Sequence, residues 1–237
     1  MQTNAPVIIT GGGQRLGLAI AKELHQNGFP LLVTYRKRRP GVDELEALGA
    51  DVVQADFATV DGVRGFIDYV VSRYRRVRAV IHNASDWVAE SSGLPGEDLM
   101  ARMMQIHVTA PYLINQALTP LLKQHSGPAD IIHMTDYIQD KGSKKHIAYA
   151  ASKAALHNLT LSFAAQLAPD IKVNDIAPAL VMFTEGDSEE DKLKAMQKSL
   201  IGSPPGAEEA VEAVAFLLQS RYITGRTLHL DGGRHLK

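Results

Sequence analysis

Short apolar runs of strand composition alternate with longer segments of helical period along most of the chain, and this alternation constrains the fold more than any other feature. Runs at residues 7–10, 31–35, 52–54, 79–82, 131–134, 173–176 and 227–230 read as strands. Between them, segments 16–27, 59–74, 97–122, 148–167 and 207–218 have apolar residues at helical spacing, as in Val63, Phe66, Ile67, Val70 and Val71. Strands that alternate with helices pair in parallel, and a parallel sheet is covered on both faces. With 45% hydrophobic residues in 237, the chain can bury one sizeable core, and no repeat or linker divides it. Only residues 177–206 break the rhythm, with Gly186, Gly202, Pro204 and Pro205, and they are expected to form a substrate loop.

Composition removes several functions. A net charge of −1 gives no general attraction to nucleic acid or anionic membrane, and no run is long enough to span a bilayer. The absence of cysteine excludes disulfides and thiolate catalysis, and no metal site is expected. The first ten residues have no basic region followed by an apolar stretch, so a cytoplasmic location is expected. The cluster Arg73, Arg75, Arg76 and Arg78 reads as a solvated helix end.

The turn after the first strand, Thr10-Gly11-Gly12-Gly13-Gln14-Arg15-Leu16-Gly17, leads into the first helix. Glycines there let the backbone turn tightly, so that a pyrophosphate can rest on free N–H groups at the helix N-terminus. The fold class that follows is α/β: a Rossmann-type doubly wound parallel sheet in a single domain over residues 1–237. Arg15 stands where a third glycine is expected; it is either a solvated arginine or a cation aimed at pyrophosphate or substrate.

The second strand ends Thr34-Tyr35-Arg36-Lys37-Arg38-Arg39, without the acid that would accept a ribose 2′-OH. Cations in that place suit a 2′-phosphate, so NADPH is the expected cofactor, with Arg36 and Lys37 as its readers. Charge-assisted bonds of about 1.5–3 kcal/mol each would give a preference of a hundredfold or more. Asp56, after the third strand, can bond adenine or cap the following helix. Tyr149 and Lys153 are four apart on a predicted helix, hence on one face. The ammonium is expected to lower the phenol pKa, making Tyr149 a proton donor near neutrality.

Thr10-Gly11…Gly17, Asn83-Ala84, Tyr149-x-x-x-Lys153, Asn174-x-Ile176-x-Pro178 and Asp231-Gly232-Gly233 together resemble the short-chain dehydrogenase/reductase family, from residue 5 to the C-terminus. The resemblance implies that Tyr149 and Lys153 are catalytic and that Asn83 steadies the sheet. It also implies that Gly11, Gly13, Arg15, Leu16, Gly17, Asn83, Ala84, Tyr149, Lys153 and Pro178 line the cofactor, and that the chain is a homotetramer, with residues 234–237 approaching a neighbour's site.

The departures are as informative. Thirteen residues before Tyr149, where the family has a serine, stands Asp136. An ionised carboxylate donates no proton to a ketone oxygen and repels the oxyanion formed there. It suits instead a nitrogen heterocycle whose ring nitrogen gains a proton, although a loop aspartate making local turn bonds is the plainer reading. With Arg15 in the cradle and Trp87 after Ser85, it resembles the pteridine reductase branch of the family. That implies a small-molecule dihydropterin as substrate, touching Arg15, Ser85, Trp87, Asp136 and Tyr149, with Trp87 stacking on the ring. Two further departures are His107, where the family has asparagine, and Ala179 for a glycine after Pro178. Phe183, Leu200 and Ile201 are expected to line the pocket. The competing readings are a carbonyl or 3-oxoacyl reductase and a non-catalytic NADPH-binding sensor.

Overall fold

The computed structural model describes residues 4–179, 182–183, 186, 188–203 and 206–237. Seven strands form one parallel sheet in the order β3-β2-β1-β4-β5-β6-β7, namely β1 (Val7–Ile9), β2 (Leu31–Tyr35), β3 (Asp51–Gln54), β4 (Ala79–His82), β5 (Ala129–Met134), β6 (Ile171–Pro178) and β7 (Thr227–Leu230). The helices among the described residues are α1 (Arg15–Gln26), α2 (Pro40–Ala47), α3 (Val60–Arg73), α4 (Gly96–Met104), α5 (Ala110–Lys123), α6 (Ile147–Leu167), α7 (Glu189–Met196) and α8 (Glu208–Gln219).

Strand residues alternate between two cores because successive side chains point to opposite faces. Ile8, Val80, Ile131 and Val173 pack with Phe66, Ile114, Leu118 and Phe163 from α3, α5 and α6. Val7, Ile9, Ile81, Ile132 and Ile176 pack with Ile20, Leu45, Val214 and Leu217 from α1, α2 and α8. Both faces being apolar explains why the strands read as continuous runs. The expected α/β doubly wound sheet is therefore the observed one. Its order reverses between β1 and β4, which opens a crevice at the strands' C-terminal ends.

The structure differs from the sequence pattern in three places. The segment expected as one helix over residues 97–122 is α4 and α5 joined by a wide π-type turn, Gln105–Thr109. Pro111 has no N–H to return to the carbonyl of His107, so the ladder is broken there. The charged segment after β2 contains α2, begun by Pro40. Residues 177–206 contain α7, whose N-cap Ser188 accepts from the Asp191 N–H; Leu180, Val181, Thr184, Glu185, Asp187, Pro204 and Pro205 of that expected loop lie outside the described residues.

The arginine cluster is also not merely a solvated helix end. Arg78 is buried, with Nη1 2.6 Å from Asp130 and Nη2 2.8 Å from the Leu218 carbonyl, and Lys172 pairs with the same carboxylate. Arg73 pairs with Asp51 at 2.8 Å. A charge run in sequence does not reveal which members have carboxylates from distant strands. No helix of the described residues is long and apolar enough to cross a membrane, and no cluster of metal-ligating side chains occurs among them.

Candidate active site

A cleft of about 990 Å³ runs across the C-terminal ends of the strands, walled by the β1–α1 turn, the ends of β2 to β6 and residues from α6 and α7. Its floor is the glycine turn. Gly11 has φ +66, and a Cβ there would lie 2.9 Å from the Ala84 Cα. A Cβ on Gly17 would lie 2.5 Å from the Asn83 Nδ2 and 2.7 Å from the Gly11 carbonyl, so only glycine lets α1 approach the sheet this closely. Asn83 Nδ2 donates to the carbonyls of Thr10 (3.1 Å) and Gly11 (3.0 Å), tying the end of β4 to the turn. Ala84 N–H donates to Thr10 Oγ1 at 2.9 Å. α1 has neither a capping side chain nor an acid in its first turn. Its leading N–H groups thus face the cleft, where Gly13 and Leu16 also lie, ready for an anion. The donor set and the glycine clearances fit a dinucleotide pyrophosphate.

Arg15 is the one described non-glycine residue with positive φ, at +50. This is why a glycine is expected in its place. An arginine in the left-handed region costs about 1–2 kcal/mol, and its side chain lines the cleft.

Of the four cations after β2, Arg36, Lys37 and Arg39 line the cleft. Arg38 is drawn away by Glu46 and by Asp43 at 2.7 Å. Arg36 Nη1 lies 3.3 Å from Asp86 Oδ2, an ion pair that the sequence did not reveal, and Arg102 Nε holds the same oxygen at 3.0 Å. These arginines keep the Asp86 carboxyl below its usual range against the cost of burial. Asp56 lines the cleft but does not cap α3. Its Oδ1 accepts from the Ala58 N–H at 3.0 Å, while the cap is Thr59, which accepts from Gly62 at 3.1 Å.

At the other end of the cleft, Tyr149 Oη donates to Asp136 Oδ2 at 2.9 Å, while Asp136 Oδ1 accepts from the Ile138 N–H, also at 2.9 Å. One oxygen makes the local turn bond and the other meets the phenol. Lys153 is buried, its Nζ donating to the Met134 carbonyl at 2.8 Å and lying 5.6 Å from the Tyr149 ring centroid. Burial raises the Asp136 pKa. Burial also lowers Lys153 to about 8, although Asp136 opposes it.

The expectation for Tyr149 is corrected. Its pKa is pushed well above 10.0, first by burial and then by Asp136. The nearest partner of the hydroxyl is a carboxylate, not the ammonium, so the phenol stays protonated throughout the neutral range.

Trp87 is 69% exposed at the cleft wall, so it is not a core residue. One face stacks on His146, centroids 4.3 Å apart at 18°, and the His146 Nδ1 is 3.3 Å from the Val88 carbonyl. His146 carried no sequence signal. Ser85 and Pro178 line the cleft, although the Ser85 hydroxyl is turned to His107 Nε2 at 2.9 Å. Phe183 lines it too, whereas Leu200 and Ile201 do not; their N–H groups bond the Gly232 carbonyl at 2.8 and 3.2 Å, and their side chains are largely exposed. Arg234 lines the cleft, its guanidinium 4.3 Å from the Tyr137 ring centroid.

A family model described as enoyl-(acyl carrier protein) reductase matches residues 13–235. Dihydromonapterin reductase of an Escherichia coli strain is 52% identical over 233 residues, which cover 98% of this chain and 97% of the relative. Among solved structures, alternative dihydrofolate reductase 1 of Brucella canis, complexed with NADP, superposes with a TM-score of 0.88 at 29% identity, covering 99% of this chain and 95% of that one. Acetoin dehydrogenase of Salmonella typhimurium superposes with a TM-score of 0.85 at 25% identity, covering 99% and 97%.

Proposed function

Since the chain belongs to the short-chain dehydrogenase/reductase family, we propose that it is an NADPH-dependent reductase that converts a 7,8-dihydropterin to its tetrahydro form. Dihydromonapterin is the first substrate to test and dihydrofolate the second, as the names of its relatives suggest. The observation that carries this reading is the 2.9 Å contact between Tyr149 and a half-buried carboxylate, where a ketone reductase would need a neutral donor.

The turn from Gly11 to Gly17 and the N-terminus of α1 would hold the pyrophosphate, with Arg15 beside it. Arg36 and Lys37 would read the 2′-phosphate, and Asp56 and Ala84 would flank the adenosine. Lys153 and Pro178 would hold the nicotinamide end. When bound, NADPH supplies the hydride that adds to C6 of the pterin C6=N5 bond. Trp87 offers its free face to the pterin ring and fixes its plane; Ser85 and Arg15 border the same space. Tyr149 donates its proton to N5, and Asp136, whose pKa is raised, returns a proton to the phenolate from solvent. Lys153 balances the negative charge shared by the two. Phe183, with Asp191 and Ala195 of α7, borders the space for the C6 substituent.

A homotetramer in the cytoplasm completes the proposal; the exposed apolar side chains of Phe216 and Tyr222 support association, and a monomeric mass by light scattering would contradict it. The deciding experiment compares NADPH oxidation with dihydropterins against simple ketones and 3-oxoacyl thioesters. Turnover confined to dihydropterins is expected. A preference for ketones would overturn the reading of Asp136 and leave the cofactor assignment standing.

A further inference from the structure

His107 lies in the wide turn between α4 and α5, almost fully buried, and touches two other parts of the site at once. Its Nε2 faces the loop after β4, 2.9 Å from Ser85 Oγ and 3.3 Å from the Asp86 backbone N–H. Its Nδ1 faces α6, 2.8 Å from Ser152 Oγ.

These contacts settle where the imidazole proton is. A backbone N–H can only donate, so Nε2 carries no hydrogen. Ser152 gives its own proton to the Tyr149 carbonyl at 2.7 Å; its oxygen therefore accepts from Nδ1–H. The ring is the neutral Nδ1–H tautomer with both nitrogens committed. The other groups near it agree with neutrality. Burial, with Lys153 adding to it, holds the pKa of the ring well below the ordinary imidazole value. The Tyr149 ring stands edge-on at 5.4 Å. The Asp86 carboxylate is occupied by Arg102 and Arg36.

We propose that His107 is a positioning residue: a neutral clasp that ties the Ser85–Trp87 loop to α6 and so sets the spacing between the Trp87 face and the Tyr149 phenol. The proposal rests on the reading above in one respect, that Trp87 and Tyr149 address the same pterin. The loop is pinned through the Asp86 carboxylate to Arg102 and Arg36, through Trp87 stacked on His146, and, at the turn itself, through Ser85 and the Asp86 N–H to His107. A buried ring with both nitrogens engaged carries no proton between pocket and solvent. Proton return to the phenol is left to Asp136, the group its hydroxyl touches.

The chain has a single tryptophan, Trp87, so intrinsic fluorescence reports on this loop without substrate or cofactor. In His107→Asn the shorter side chain can reach the loop or α6 but not both. A fast component should appear in the Trp87 anisotropy decay, and the dihydropterin KM should rise about tenfold, as for a lost buried hydrogen-bonded link. The NADPH KM and the shape of the kcat–pH profile should not move. His107→Gln, which is longer, should recover part of the loss. Should the asparagine variant fail to fold, Ser85→Ala removes one bond of the clasp from the loop side and should show the same effects at smaller size. The ¹⁵N shifts of His107 in the wild type should show a protonated Nδ1 across the neutral range.

Unchanged Trp87 anisotropy in these variants would overturn the clasp. So would a kcat–pH limb that moves with His107 substitution, which would make the ring a proton carrier. If the wild type turned over no dihydropterin, the proposed function would fall while the fluorescence would still decide the clasp.

Discussion

Replacing Asp136 by asparagine tests the chemistry at its centre. The carboxylate makes two contacts of equal length, Oδ2 with the Tyr149 hydroxyl and Oδ1 with the Ile138 N–H, each 2.9 Å. An amide has one acceptor oxygen and cannot reproduce both. If the oxygen keeps the Ile138 N–H, the NH₂ group faces the phenol, and the phenol proton loses its acceptor. A hydrogen bond to a charged group is worth about 1.5–3 kcal/mol, which corresponds to about ten- to a hundredfold in rate. Loss of the group that returns the proton adds to this, because general acid–base assistance contributes about 10²-fold or more. Asp136→Asn should therefore lower kcat for dihydropterin by at least about a hundredfold. The NADPH KM should be little changed, because no cofactor-binding contact is altered. Lys153 loses the partner that opposes its downward shift, so the alkaline limb of activity should move to lower pH. Steady-state NADPH oxidation across the neutral range reads all three quantities. An unchanged kcat would refute the reasoning, since it would leave the carboxylate with only its turn bond to Ile138.

The remaining expectations concern cofactor choice, pH and stability. Arg36→Ala with Lys37→Ala should raise the NADPH KM about tenfold and leave NADH unaffected, the gain being limited by the exposure of both cations; equal loss with both cofactors would place the phosphate elsewhere. The Lys153 ammonium, with its pKa lowered to about 8, is charged at neutral pH and discharges as pH rises through that value. The profile of kcat/KM for NADPH, which reports the free enzyme, should thus fall near pH 8, and a profile flat well above it would count against the lysine. Asp130→Ala leaves Arg78 and Lys172 buried without their shared carboxylate, at a cost of about 3–5 kcal/mol. Thermal unfolding should drop by roughly 10 °C; a change of only a degree or two would mean that the cations find water.

Much of this protein was decided locally, and local decisions are legible in a sequence. The two-residue period of the strands, the helical stripes and the glycines of the first turn determine the parallel sheet and its phosphate cradle, because each depends on neighbours a few positions away. The missing acid after β2 and the four-residue step from Tyr149 to Lys153 belong to the same class. What the tertiary structure alone decided are contacts between groups far apart in the chain: Arg36 against Asp86, Arg78 against Asp130, His146 under Trp87 and His107 between loop and helix. A pKa depends on burial and on such partners, which is why the phenol beside Lys153 is raised and not lowered. Helix α2 and α7 escaped notice for a different reason. Each is only eight residues long and half-exposed or more, so it carries little of the apolar periodicity by which a helix announces itself.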